Sequence, residues 1–186
     1  MVKVAAVSGY KPYELGIFQQ NHPSIHYIKA VIKKEIHLLL DEGLEWIMIS
    51  GQLGTELWAA EVVYELQPDF PDLKLAVIAP FLDQEEKWNE TNQEWYESIV
   101  AQADFFDVIT KKKYENSWQF RLKNHFIVEK TDALILLYDA EKEGSPKFLY
   151  ETALKYQDNY PYDIRTITFY DLQMAVEEEQ LKRSDF

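Results

Sequence analysis

Short apolar runs alternate along the chain with longer amphipathic stretches. Val2 to Val7 is apolar except for Lys3, and Trp46 to Ile49, Leu73 to Pro80, Phe105 to Ile109, Ala133 to Tyr138 and Ile164 to Phe169 are comparable runs. Runs this short, with little alternation, read as strands buried on both faces. The stretches between them carry helical spacing. From Pro23 to about Asp41, residues Ile25, Ile28, Ile32, Ile36, Leu39 and Leu40 share one face, and Gly43 stands in the C′ position. Thr55 to Leu66 turns Leu57, Trp58, Ala60 and Val63 inward, and Asp83 to Ala103 turns in Trp88, Trp95, Ile99 and Val100. Ser117 is the expected cap of a helix to Lys130, Ser145-Pro146 opens another, and Asp171 is the expected cap of a short last helix whose tail, Glu177 to Phe186, is polar enough to fray. Strand and helix alternate without linker or repeat. The pattern predicts one α/β domain over residues 1–186, a three-layer sandwich with a mainly parallel sheet.

Composition narrows the classes. With 47% hydrophobic and 27% charged residues the chain suits one globular domain. It has no cysteine, which excludes thiolate chemistry. No apolar run reaches the roughly 20 residues of a membrane span, and Met1-Val2-Lys3 opens no signal peptide, so a cytoplasmic location is expected, with no membrane. The net charge of −13 opposes nucleic-acid binding, which draws on phosphate neutralisation. Lys111-Lys112-Lys113 reads either as a solvated loop or as an electrostatic lip for an anion. The 12 Tyr, 10 Phe and 5 Trp serve core, pocket or interface.

The candidate chemistry lies where strands end. Ser8-Gly9-Tyr10-Lys11-Pro12 follows the first run, and Ser50-Gly51-Gln52-Leu53-Gly54-Thr55-Glu56 follows the second. If those strands are neighbours, two Ser-Gly endings stand side by side at the carboxyl edge, where open α/β sheets bind ligands. Helix-first amides and glycine backbone there suit a phosphate or carboxylate. Gly144-Ser145-Pro146-Lys147 makes a third such turn. None is a Walker loop or a G-x-G-x-x-G, no cofactor is expected, and many such turns bind nothing. Glu56 reads as a dipole-complementing acid or as a carboxylate for a ribose hydroxyl or acid–base work. Glu61 reads as a solvated acid or a salt-bridge partner. Arg121, sharing a face with Asn124 by spacing, is a second phosphate candidate. Tyr10 or Trp58 would stack on a base. His22, His26 and His37 match no zinc pattern and read as surface or packed residues, with no metal.

At Ser8–Pro12, at Ser50-Gly51-Gln52-Leu53-Gly54-Thr55-Glu56-Leu57-Trp58-Ala59-Ala60-Glu61 and at Gly144–Lys147, the chain resembles the YpsA family of Firmicutes, within the Rossmann-like SLOG superfamily that includes DprA and the cytokinin-activating LOG enzymes. The resemblance implies a Rossmann-like fold, a nucleotide-like small molecule at the glycine turns with Gly54 and Glu56 foremost, and an association with bacterial cell division through protein partners. It also implies departures. LOG enzymes carry Pro-Gly-Gly-x-Gly-Thr-x-x-Glu, and Trp58 stands here at the position of that Glu, so Glu56 either substitutes from another angle or the hydrolase chemistry is absent. Three functions follow as expectations: a nucleotide sensor with Arg121 or Lys147 on phosphate, an N-glycosidase acting through Glu56 as its catalytic residue, or a partner-binding protein without catalysis. Self-association is left open.

Overall fold

A computed structural model describes residues 1–185. Six strands, β1 (Val4–Gly9), β2 (Trp46–Ile49), β3 (Lys74–Ala79), β4 (Phe105–Val108), β5 (Ala133–Leu137) and β6 (Asp163–Ile167), form one sheet in the order β4-β3-β2-β1-β5-β6. Every pairing is parallel, with Val4 opposite Trp46 and Ser8 opposite Leu136. Six helices alternate with them: α1 (Pro23–Asp41), α2 (Thr55–Leu66), α3 (Glu90–Gln102), α4 (Trp118–Lys130), α5 (Pro146–Gln157) and α6 (Phe169–Ser184). α1 packs against α2 and α6, α2 against α3, and α4 against α5, giving helical layers on both faces of the sheet. This is the expected Rossmann-like α/β sandwich. The central strands are its thickest core, and β5 is buried at all five positions. Fully buried Ile32, Ile36 and Leu39 of α1 each contribute roughly 1.5–3 kcal/mol of burial.

Three boundaries differ from the pattern, each for a local reason. α3 begins at Glu90 and not at Asp83, because Asn89 Oδ1 accepts the Asn92 amide at 2.9 Å and caps it. The residues before it turn inward instead: Gln84 is buried and donates to the Ser50 carbonyl at 2.8 Å. Glu14 to His22 reads as loop from the sequence, but its first residues belong to a 3-10 turn, Pro12–Leu15. At the C-terminus Thr168 is the cap and Asp171 its reciprocal partner in a capping box, so Asp171 is not the cap itself. The tail expected to fray from Glu177 is helical through Ser184, and Phe186 lies outside the described residues.

Candidate functional site

The endings of β1 and β2 meet as the strand pairing requires, and they interlock. The Thr55 amide and hydroxyl both donate to the Tyr10 carbonyl, at 3.2 and 2.9 Å. Gly54 holds φ +92°, and a Cβ there would lie 2.7 Å from the Tyr10 carbonyl oxygen and 2.8 Å from Pro12 Cδ. A Cβ on Gly9 would meet Leu137 Cβ and Thr55 Oγ1, both at 2.7 Å; one on Gly51, at φ +83°, would meet Tyr96 and Gln84. These glycines let protein segments approach one another.

Glu56 occupies the junction and is 3% exposed. It starts α2, yet its carboxylate turns back toward the sheet. One oxygen accepts the Ser50 amide at 2.7 Å, the Ser50 hydroxyl at 2.8 Å and the Gln52 amide at 3.4 Å; the other accepts the Ser8 hydroxyl at 2.9 Å. The chain thus supplies its own carboxylate to amides of the kind that bind anions. The third turn repeats the device. Ser145 precedes α5 without capping it by its side chain; its amide and hydroxyl both donate to Glu14, at 2.8 and 2.6 Å, and Glu14 also accepts the Lys11 amide at 2.9 Å. Burial works against the charge on Glu14, but the hydrogen bonds from Ser145 and Lys11 outweigh it and hold its carboxyl below the usual glutamate range.

Other expected residues fall in different places. Tyr10 is 0% exposed, with its hydroxyl bonded to the Asp139 and Lys142 carbonyls and its ring against Phe169, so it is not available to stack on a base. Burial raises its pKa first of all. Arg121 and Asn124 do not share a face: Arg121 is exposed and donates to Ser117 Oγ at 3.2 Å, while Asn124 is buried with Oδ1 lacking a protein partner among the described residues. Ser117 makes no side-chain cap. Lys147 pairs with Glu143 at 3.6 Å. The three exposed lysines 111–113 each have acid partners, in Asp107, Glu115, Asp83 and Glu86. His22 caps α1 by accepting the Ser24 amide, His26 pairs with Glu179, and His37 packs on Phe70.

Lys123 is the residue the pattern missed. It lies on α4 four residues from buried Gln119 and four from buried Ile127, so its stem runs along the packed side of the helix. Its side chain is half-buried. Burial pushes its pKa down, Glu56 pulls it back up, and the like charge of Lys11 pushes it down again. The charges that act on Lys123 thus come from other elements, Glu56 at the start of α2 and Lys11 after β1. The spacing to Ile127 was the available signal; a charged residue in a polar stretch hid it.

Beside this junction opens a cleft of about 840 Å³. It runs between the segment after β1, the start of α1, the outer side of α2 and the start of α3, and its walls include Leu53, Trp58, Glu61 and Trp95. Trp58 is buried and its ring lies 6.3 Å from that of Trp95, whose indole N–H donates to Glu61 at 3.1 Å. Glu61 is an ion-pair partner, 3.6 Å from Lys29, and burial raises its carboxyl above the usual range against the pull of Lys29 and Trp95.

Comparison with known proteins agrees with this architecture. The pattern of the YspA SLOG family matches residues 5–172. UPF0398 proteins of Bacillus thuringiensis (strain Al Hakam) and Bacillus cereus (strains AH187 and B4264) are each 54% identical over 184 residues, covering 99% of this chain and all of the relative. Among solved structures, DNA processing protein A from Helicobacter pylori, described for its single-stranded DNA binding mode, superposes with a TM-score of 0.55 at 15% identity, over 97% of this chain and 81% of that one. At that identity the likeness concerns the fold.

Proposed function

The chain belongs to the YspA SLOG family, and from that premise we propose that it binds a nucleotide or nucleotide derivative at the carboxyl edge of its sheet. The observation that supports the reading is the junction where β1 and β2 end, at which Ser8, Ser50 and Gln52 gather on Glu56 and the charges of Glu56 and Lys11 both act on Lys123. The like charges of Lys11 and Lys123 oppose one another, and an anion such as a phosphate bound between them would relieve that repulsion. In this reading Lys11 and Lys123 take the phosphate, and Ser8, Gly9, Ser50, Gly51, Gln52, Gly54 and Thr55 frame the site. Gly144, Ser145 and Lys147 border it, while Trp58, whose ring lines the neighbouring cleft, and Arg121 stand apart. Glu56 has a role of anchoring: its four hydrogen bonds hold the turns together, and they favour binding over hydrolysis, since a catalytic base needs a lone pair free for the reacting proton.

In the cell we propose a ligand sensor linked to division through a protein partner, on the strength of the family resemblance alone. We do not extend DNA binding to this chain: its charge of −13 and the acid partners of the lysine triplet speak against it. The test is thermal unfolding against a panel of nucleoside mono-, di- and triphosphates. A ligand at about 100 times its Kd stabilises by about 2.7 kcal/mol, and Lys123→Gln should lower the affinity at least about tenfold. No shift with any nucleotide overturns the reading.

A further inference from the structure

The cleft beside the turns has a chemistry unlike that of the Lys11–Lys123 site. Its positive charge is spent: Lys29 is bonded to Glu65 at 2.7 Å and lies 3.6 Å from Glu61. With two carboxylates around one ammonium, in a chain of net charge −13, the cleft repels anions.

What its walls offer is rings and amides. Trp58 and Trp95 stand 6.3 Å apart at a 40° tilt on one side, and Tyr13 and Phe18, 63% and 81% exposed, stand on the other. The side chains of Gln19, Gln20, Asn21 and Asn92 line the same space and have no hydrogen-bond partner among the described residues. A carboxamide both donates and accepts, as a hydroxyl does. Exposed aromatic rings beside such groups match a ligand with apolar C–H faces and hydroxyl edges, and the volume of about 840 Å³ lies within the range of small-molecule sites.

We propose that this cleft is a second binding site, which takes an uncharged hydroxylated ring, the sugar of either a neutral glycan or a nucleoside. The ring stacks on the aromatic walls, and the amides of the 19–21 segment and of Asn92 hydrogen-bond its hydroxyls. The site is independent of the phosphate reading, because neither lysine of that reading lines it.

Titration followed by tryptophan fluorescence tests this, with Trp58 and Trp95 as reporters. One arm uses neutral oligosaccharides of glucose and of N-acetylglucosamine; the other uses unphosphorylated adenosine, guanosine and uridine. Phe18→Ala and Asn92→Ala change residues at the protein surface, and their melting temperatures verify that the fold survives. The expected result is saturable binding in one arm below about 10 mM, weakened about tenfold or more in both variants and unchanged by Lys123→Gln. Silence in both arms, a smaller loss in either variant, or a loss in Lys123→Gln overturns the proposal. Nucleotides that bind while every bare sugar and nucleoside is silent would overturn this site and leave the phosphate site standing.

Discussion

Glu56 and Glu14 both lay a carboxylate on the amide and hydroxyl of a serine at a strand–helix turn, but Glu56 is sealed under β1 and β2 while Glu14 stands half-buried above the start of α5. Neither serine amide waits for a guest in this structure; each is already answered from within the chain. The difference is in what surrounds the acid. Around Glu56 the bonds join two neighbouring strands and its charge acts on Lys123, whereas Glu14 clips one loop to another. An acid of the first kind belongs to the centre of the molecule; one of the second kind is a latch.

The comparison breaks most severely at its buried end. Glu56→Ala leaves the Ser8 hydroxyl and the Ser50 amide and hydroxyl without their acceptor, so a loss of about 3 kcal/mol or more is expected in urea unfolding. Gly54→Ala puts a methyl group against the Tyr10 carbonyl at a left-handed backbone position and should cost about 2–3 kcal/mol by the same measurement.

Lys123→Met sharpens the cationic half. Burial is the leading influence on that ammonium and lowers its pKa, so the charged form is disfavoured by folding. Below that lowered pKa the charge subtracts from stability, so Lys123→Met should unfold in urea no earlier than the wild type while its nucleotide affinity falls at least about tenfold. Undiminished stability coupled to a loss of binding is the mark of a residue kept for its ligand.

Glu14→Gln separates latch from centre through pH. The folded carboxyl lies below the usual glutamate range, so its stabilisation is present above the unfolded pKa and is lost as pH falls through the folded value. Urea midpoints of wild type and Glu14→Gln should therefore differ at pH 7 and converge in acid. The smallest effect belongs to Arg121→Ala: that side chain is exposed and tied only to Ser117 among the described residues, so stability should change by less than about 0.5 kcal/mol and nucleotide affinity not at all.

Much of the fold was legible because it rests on apolar periodicity. The six strands and the bounds of α1 and α2 follow from runs such as Ala133–Leu137 and from the stops around Gly43 and Gly54. The start of α3 was obscured because Asp83 and Asn89 both suit a cap, and only the Gln84–Ser50 contact, distant in sequence, decides between them. At the site, the meeting of the two Ser-Gly endings was readable from strand adjacency. That Glu56 would fold back on Ser50, that Glu14 would bridge 131 residues to Ser145, and that Lys123 and not Arg121 would face inward are side-chain facts which no period encodes.

Isothermal titration of wild type and Lys123→Met with the nucleotide that raises the melting temperature most is the direct test of the central claim. The wild type should give a saturable heat and the variant at least an about tenfold weaker affinity, in a protein no less stable than its parent. Equal affinities in the two proteins, or no heat in the wild type, would contradict it.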